Sequence, residues 1–179
     1  MNKKYSVIFF LIFTVLIILN TCRQNINKIE LREIGFIMPL PTGWQVDSKD
    51  KTFFYQQLKK DENFGWIDIY ELAPGESLVD LVDSLIVDLQ NFLLEEKASL
   101  SEYDTLDLVF DFKVLQKKIT TISNRPAIEL ISEFDGMLYE VYILNDDLVI
   151  QVSFRISKDD FKSYESTLQN VINSIQFRK

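Results

Sequence analysis

The stretch Leu148–Ile156, LVIQVSFRI, decides the fold because its side chains alternate in character with a period of two. Such alternation is typical of a β-strand that turns one face toward a core. Gln151, Ser153 and Arg155 give the other face little to bury. We therefore expect a central strand with one well-covered and one partly covered face. The apolar side consists of Leu148, Ile150, Val152, Phe154 and Ile156.

Apolar runs on the amino-terminal side of this stretch complete an antiparallel meander. The runs at 127–134 and 137–144 are joined by Asp135-Gly136, the strongest short hairpin signal, and 145–147 is the next turn. Further strands are predicted upstream. These strands are 35–40, Trp44–Val46, 52–58, 66–72 and 109–121, with a loop at 61–65 and a turn at 124–126.

Two segments carry apolar residues at helical spacing. The first helix is predicted from Ser77 to about residue 97, and the second begins at Ser157. Asp80 and Asp160 complete S-x-x-D capping boxes at the two starts. The order of strands, helix, strands, helix predicts an α+β fold with an antiparallel sheet. The first apolar stripe comprises Leu78, Leu81, Val82, Leu85, Leu89, Phe92 and Leu93, and the second Phe161, Tyr164, Leu168, Val171, Ile172 and Ile175.

The amino terminus has the layout of an export signal. Two lysines precede an apolar run at 7–19 that is too short to span a bilayer as a helix, and Cys22 follows it. The motif Leu19-Asn20-Thr21-Cys22 resembles the lipobox of bacterial lipoproteins, which implies that Cys22 becomes the lipidated first residue. The alternative is an uncleaved anchor helix with a chance cysteine.

The lipobox resemblance divides the chain into three parts. We expect a lipoprotein signal peptide at 1–21, a polar tether at 22–34 and a folded domain at 35–177. Scattered aliphatic residues leave open that the later half of the tether packs on the domain. Arg23 after the cysteine implies, by the enterobacterial sorting rule, the outer rather than the inner membrane. We therefore expect a membrane-anchored protein of the cell envelope.

The order of these motifs resembles the PsbP-like superfamily, which includes DcrB-type bacterial envelope proteins. The resemblance implies an antiparallel sheet between helices on both faces, an α/β/α sandwich. It also implies a non-catalytic adaptor or assembly role, and hence an unknown envelope protein as the partner. The resembling features are Phe36–Pro39, 41–44, the helix at 77–97, Arg125-Pro126-Ala127, the Asp135-Gly136 hairpin and the closing helix that ends at 172–175.

The composition excludes several functional classes. The chain has no histidine, which removes Ser-His and Cys-His nucleophiles and most zinc sites. Its single cysteine can form no intramolecular disulfide. With 27 acidic and 19 basic residues, a net charge of −8 and no basic cluster, it is unsuited to nucleic acid. We expect no enzyme activity and no cofactor.

Aromatic residues supply the candidate interaction site. Phe64 and Trp66 flank Gly65, and alternation forces Phe53 and Phe54 onto opposite faces of a strand. If one face of the sheet is uncovered, Phe54, Phe64 and Trp66 form a contact patch for a partner. The alternative is that a helix layer covers them as part of the core.

Calcium binding by carboxylates is the alternative function, because a chain without histidine would hold a hard cation through oxygen. No D-x-D-x-D-G loop occurs, and acidic spacings of three and five on a helix converge poorly, so no metal site is assigned. The S-x-x-K motif at 48–51 lacks its partner motifs and reads as a solvated turn. The acidic residues considered are Asp80, Asp83, Asp88, Asp104, Asp107 and Asp111.

Overall fold

The computed structural model describes residues 28–46, 55–57, 60–99 and 112–178. The strands in these ranges are β1 Lys28–Leu31, β2 Phe36–Pro39, β3 Trp44–Val46, β4 Tyr55–Gln57, β5 Lys60–Glu71, β6 Lys113–Ile122, β7 Arg125–Glu133, β8 Met137–Asn145, β9 Leu148–Ile156 and β10 Gln176–Phe177. The helices are α1 Leu78–Ser99 and α2 Lys158–Asn173, and Arg32–Ile34 forms a 3-10 turn. Neither described helix is both long and apolar enough to cross a bilayer.

The strands form two antiparallel sheets. Seven of them lie in the order β3-β4-β5-β9-β8-β7-β6, and a small sheet has the order β1-β2-β10. The predicted central strand is confirmed, since β9 has the expected bounds and lies fourth of seven. The hairpin at Asp135-Gly136 is also confirmed, because it joins β7 to β8. The predicted α+β class is therefore correct.

The first face of the large sheet, which carries Ile150, Val152 and Phe154 of β9, is fully buried. The small sheet and α2 cover this face, contributing among others Met38 and Leu168. Burying a large apolar side chain stabilises the fold by about 1.5–3 kcal/mol, so this cluster is the main source of stability.

An aromatic group closes one end of this core. The rings of Trp44, Tyr55 and Phe154 lie 5.2–5.9 Å apart, and the Tyr55 hydroxyl donates a 2.6 Å hydrogen bond to the Ser153 carbonyl. Gly65 makes room for this contact. A Cβ at Gly65 would lie 2.2 Å from the Ser153 carbonyl oxygen and 2.3 Å from the Tyr55 ring.

The second face of the large sheet, which carries Val149, Gln151 and Ser153 of β9, is covered in part by α1. Leu78 and Val82 of the helix join a buried cluster that includes Val149. Helices thus lie on both faces of the sheet, as the family resemblance implied. This face is better covered than its sequence suggests, since Gln151 and Ser153 are also buried.

Strand β5 starts earlier than predicted. The stretch 61–65 was assigned to a loop on its Asp, Asn and Gly residues, and that assignment is wrong because β5 begins at Lys60. Phe64 pairs with Arg155 and Gly65 with Phe154 on β9. Pairing to a central strand therefore overrides the local turn signal.

The turn predicted at 124–126 lies one residue earlier. Ser123 and Asn124 both have positive φ, at 50° and 62°, and β7 begins at Arg125. Positive φ at both central residues is the geometry of a two-residue hairpin turn. Pro126 was predicted to lie in the turn, but proline is tolerated near the start of a strand and Pro126 is the second residue of β7.

The later half of the predicted tether packs on the domain, the possibility that the sequence left open. Strand β1 pairs with β2, and its Ile29 and Leu31 are buried. The described part of the domain thus begins at Lys28 rather than at residue 35. Strand β10 was not predicted, because two residues carry too little pattern to recognise.

The two capping predictions have different outcomes, one at the start of each helix. At α1 the box is confirmed, since the Asp80 amide donates to the Ser77 hydroxyl and the Ser77 amide to the Asp80 carboxylate, each at 3.2 Å. At α2 it is wrong, because Ser157 makes no side-chain cap. Asn63 replaces it by accepting a 2.9 Å hydrogen bond from the Ser157 amide. Phe92, assigned to the buried stripe of α1, is 56% exposed.

Candidate interaction surface

Alternate residues of β5 place four half-buried side chains on the second face of the sheet. Because strand residues two apart share a face, these side chains follow one another along the strand at about 6.6 Å intervals. Three are aromatic and one is acidic. We call this row the β5 strip, and it consists of Phe64, Trp66, Asp68 and Tyr70.

The Phe64 end of the strip consists of two neighbouring aromatic rings and an arginine that lies over one of them. The ring centroids of Phe64 and Trp66 lie 6.0 Å apart, and the Arg155 guanidinium lies 5.3 Å from the Phe64 centroid. Arg155 is fixed by a 2.7 Å ion pair with Asp135 and a 3.0 Å hydrogen bond to the Glu62 carbonyl. This end is therefore ordered before any partner arrives.

The two ends of the strip differ in how far they join the core. Tyr70 packs against the cluster beneath α1, and its hydroxyl donates a 2.7 Å hydrogen bond to Gln151 Oε1. Burial is the main cause that raises the Tyr70 pKa to about 12. Phe64 and Trp66 lie outside both hydrophobic clusters of the described residues. The Tyr70 end of the strip therefore packs against the second cluster, whereas the Phe64–Trp66 end belongs to neither cluster.

A buried polar network lies beside the strip, on β8 and β9. Glu140 Oε1 accepts a 2.6 Å hydrogen bond from Gln151 Nε2 and longer bonds, at 3.4 Å, from the hydroxyls of Ser153 and Tyr142. Burial raises the pKa of Glu140, and these three donors oppose that rise. Tyr70 extends the network to the strip through Gln151.

Asp68 lies in the middle of the strip, opposite Gln151. Burial raises the Asp68 pKa, and a hydrogen bond from the Trp66 side chain partly offsets the rise. The charge of Asp68 in turn contributes to the raised pKa of Glu140. Among the described residues, no lysine or arginine forms an ion pair with either carboxylate.

The structure brings together part of the predicted site. Phe64 and Trp66 are adjacent as expected, whereas Phe54 lies outside the described residues. Cys22, the signal peptide and the motif at 48–51 also lie outside them. Asp68 and Tyr70 were not predicted as part of the site, although the alternation in WIDIYEL places both on the face of Trp66.

Two of the acidic residues considered for calcium have other roles, and Asp88 is exposed on α1. Asp80 caps α1, and Asp83 forms a 2.5 Å ion pair with Lys117. Asp104, Asp107 and Asp111 lie outside the described residues. In the described ranges, no group of three or more acidic or cysteine side chains could hold a metal ion.

A cleft of about 1390 Å³ lies beyond the Tyr70 end of the strip. It is bounded by the β1–β2 connection, the β5–α1 loop and the β8–β9 turn. Its walls carry both signs of charge, with Asp146 and Asp147 on one side and Arg125 and Arg178 on another. Because its walls carry both signs of charge, the charges of this cleft indicate no particular ligand class.

Comparison with known proteins addresses the fold. No protein-family model matches the sequence, and no curated protein does. The solution structure of cyanobacterial PsbP from Synechocystis sp. PCC 6803 matches with a TM-score of 0.63 at 13% identity, over 84% of this chain and 91% of that one. Mycobacterium tuberculosis LpqN, described as involved in cell envelope biogenesis, matches with a TM-score of 0.52 at 10% identity, over 85% and 90%. The chain therefore has a PsbP-like α+β fold.

Proposed function

We propose that this chain is a lipid-anchored envelope protein whose PsbP-like domain binds another protein and catalyses no reaction. The apolar run at 7–19 followed by Cys22 supports export and acylation. The absence of histidine and the polar, mixed-charge cleft give little support to an enzyme. LpqN shares the fold and is described as involved in cell envelope biogenesis, which fits this setting.

The observation that carries the binding role is the aromatic pair of the β5 strip. Trp66 is half-buried and, within the part of the chain that the structure describes, lies outside both core clusters, with the Phe64 ring beside it and Arg155 beside Phe64. Aromatic residues and arginine are enriched in the energetically dominant parts of protein interfaces. A preorganised arginine loses little side-chain entropy on binding, which favours affinity.

The anchor places the domain close to the membrane. Strand β1 begins at Lys28, only six residue steps after Cys22. Six extended steps span at most about 22 Å, so an acylated Cys22 would hold the domain against the bilayer surface. Arg23 is consistent with an outer-membrane destination. The partner would therefore be a protein of the same membrane surface.

The lipid anchor is tested by removing the sulfur of Cys22, the atom to which the acyl chains would attach. Cys22→Ala should abolish incorporation of labelled fatty acid and release the protein from the membrane fraction, because at about 0.8 kcal/mol per buried CH₂ the acyl chains supply the retention. Arg23→Ala is the matched control and should remain labelled. An unlabelled wild-type protein, or unchanged membrane retention of Cys22→Ala, would refute the anchor.

The binding role is tested by photo-crosslinking in intact cells. A photoreactive phenylalanine analogue at Phe64 should give a discrete adduct with one envelope protein. The same analogue at Lys162, an exposed residue of α2, is the control and should give none. If both positions give the same adducts, or neither gives any, the β5 strip is not a protein-binding surface.

A further inference from the structure

The β5 strip contains a carboxylate with which no lysine or arginine of the described ranges forms an ion pair. Asp68 is half-buried, and the Trp66 side chain is its hydrogen-bond donor. Two cations of this face, both within the described residues, pair with other carboxylates. Arg155 is paired with Asp135, and Lys117 with Asp83, so neither neutralises Asp68. A partly desolvated carboxylate without a paired cation costs free energy in the folded protein.

The neighbours of Asp68 suit a cation from outside the chain. Trp66 and Tyr70 precede and follow it at i−2 and i+2 on the same face. Aromatic faces attract ammonium and guanidinium groups, and they do so more strongly where water is partly excluded. The Tyr70 ring is held in place by its 2.7 Å hydrogen bond to Gln151. The site thus combines one negative charge with two positioned rings.

We propose that Asp68, between the rings of Trp66 and Tyr70, receives a lysine or arginine side chain of the protein partner, an inference that rests on the proposed function. Charge complementarity selects this occupant, because the chain has a net charge of −8 and no lysine or arginine of the described residues forms an ion pair with Asp68. The bound cation would pair with Asp68 while its aliphatic stem covers the Trp66 ring. The aromatic pair Phe64 and Trp66 then gives contact area, and Asp68 gives selectivity for a basic residue.

The inference can be tested without knowing the partner, by using a small probe on the full-length chain in non-ionic detergent. The probe is N-acetyl-L-arginine amide, and N-acetyl-L-glutamine amide is the uncharged match. The chain has two tryptophans, and Trp44 is 1% exposed. The indole NMR signal of Trp66 should therefore shift saturably with the arginine probe, while that of Trp44 stays in place.

The decisive variant is Asp68→Asn, which keeps an oxygen for the Trp66 hydrogen bond and removes the charge. It should weaken the response of Trp66 by about two- to fivefold, the expected scale for loss of a partly exposed ion pair. Glu62→Gln, an exposed neutralisation on the same strand, is the control and should respond like wild type. Equal responses in Asp68→Asn and wild type, or an equal response to the glutamine probe, would overturn the inference.

Three further outcomes distinguish this inference from the proposed function or decide the kind of cation that binds. If the adduct at Phe64 forms equally in Asp68→Asn cells, a protein partner exists but the basic side chain does not bind at Asp68. If choline chloride shifts the Trp66 signal at lower concentration than the arginine probe, the site belongs to a quaternary ammonium headgroup and the protein assignment fails. A loss of the Phe64 adduct in Asp68→Asn but not in Glu62→Gln supports the inference.

Discussion

Gln151 Nε2 lies 2.6 Å from Glu140 Oε1 on the second face of the sheet, where Glu140 is 7% exposed. A carboxylate at this depth without a paired cation is costly, and burial raises its pKa despite the hydrogen bonds from Gln151, Ser153 and Tyr142. Burial thus shifts Glu140 toward the neutral acid, and the three hydrogen-bond donors limit that shift. Neutral hydrogen-bonded groups rigidify a sheet face without an unpaired buried charge.

The raised pKa of Glu140 makes stability depend on pH. The contribution of this group is fully present below its unfolded-state pKa of about 4.5, and it is lost as pH rises toward the higher folded-state value. Glu140→Gln keeps an amide that can replace the protonated acid, so it should gain stability relative to wild type as pH rises from 4.5 to 8. Urea unfolding at several pH values measures the difference.

The control for that comparison is Glu62→Gln, because Glu62 is exposed. The stability of this variant should follow that of wild type at every pH. If the difference between Glu140→Gln and wild type has no pH dependence, Glu140 is not held neutral in the folded state.

Gly65→Ala should destabilise the protein by about 3 kcal/mol or more, at or beyond the upper end of ordinary overpacking. The added methyl would lie 2.2 Å from the Ser153 carbonyl oxygen and 2.3 Å from the Tyr55 ring. The neighbouring strands β9 and β4, which carry these two residues, must therefore move. Thermal unfolding measures the loss, and Glu62→Ala in the same strand should shift Tm little. A Gly65→Ala protein with wild-type Tm would show that β4, β5 and β9 are not packed as described.

The two helix starts should respond differently to the same substitution. Ser77→Ala removes the hydroxyl that accepts from the Asp80 amide and should cost about 1 kcal/mol. Ser157→Ala removes a hydroxyl that makes no cap and should stay within about 0.5 kcal/mol of wild type. Chemical denaturation of both variants provides the comparison, and equal costs would contradict the assigned caps.

Asn63→Ala should be the damaging change at the start of α2. Asn63 is fully buried and accepts the hydrogen bond of the Ser157 amide, so its loss leaves a backbone donor without an acceptor. An unsatisfied buried donor costs about 1–3 kcal/mol. Asn173→Ala, at an exposed position, is the matched control. If the two variants unfold at the same denaturant concentration, Asn63 does not cap α2.

The parts of the fold that were predictable from sequence are those with strong local patterns. Strand β9 and the hairpin at Asp135-Gly136 combine alternation with an unambiguous turn, and both have the expected positions. Strands β1 and β10 depend on pairing with β2, which no local pattern reveals. The start of β5 was missed for the same reason, since residues with turn propensity become strand only through pairing with β9.

The candidate surface was predictable to a similar extent. Phe64 and Trp66 were identified as aromatic residues on either side of a glycine, and they are adjacent. The position of Asp68 on the same face follows from the alternation along β5, but Asp68 was not predicted as part of the site. The contact between Glu140 and Gln151 could not be predicted, because it depends on the register between β8 and β9. The length of the turn in the sequence suggests this register but does not establish it.

The most direct test of the central claim, that the β5 strip is covered by another protein in the envelope, is oxidative footprinting of intact cells against the purified chain. The account predicts that Phe64 and Trp66 are oxidised at least about fivefold more slowly in cells, as for groups at a buried interface. Phe92, an exposed side chain of α1, should be oxidised equally in both samples. Equal oxidation of Trp66 in cells and in the purified chain would contradict the account.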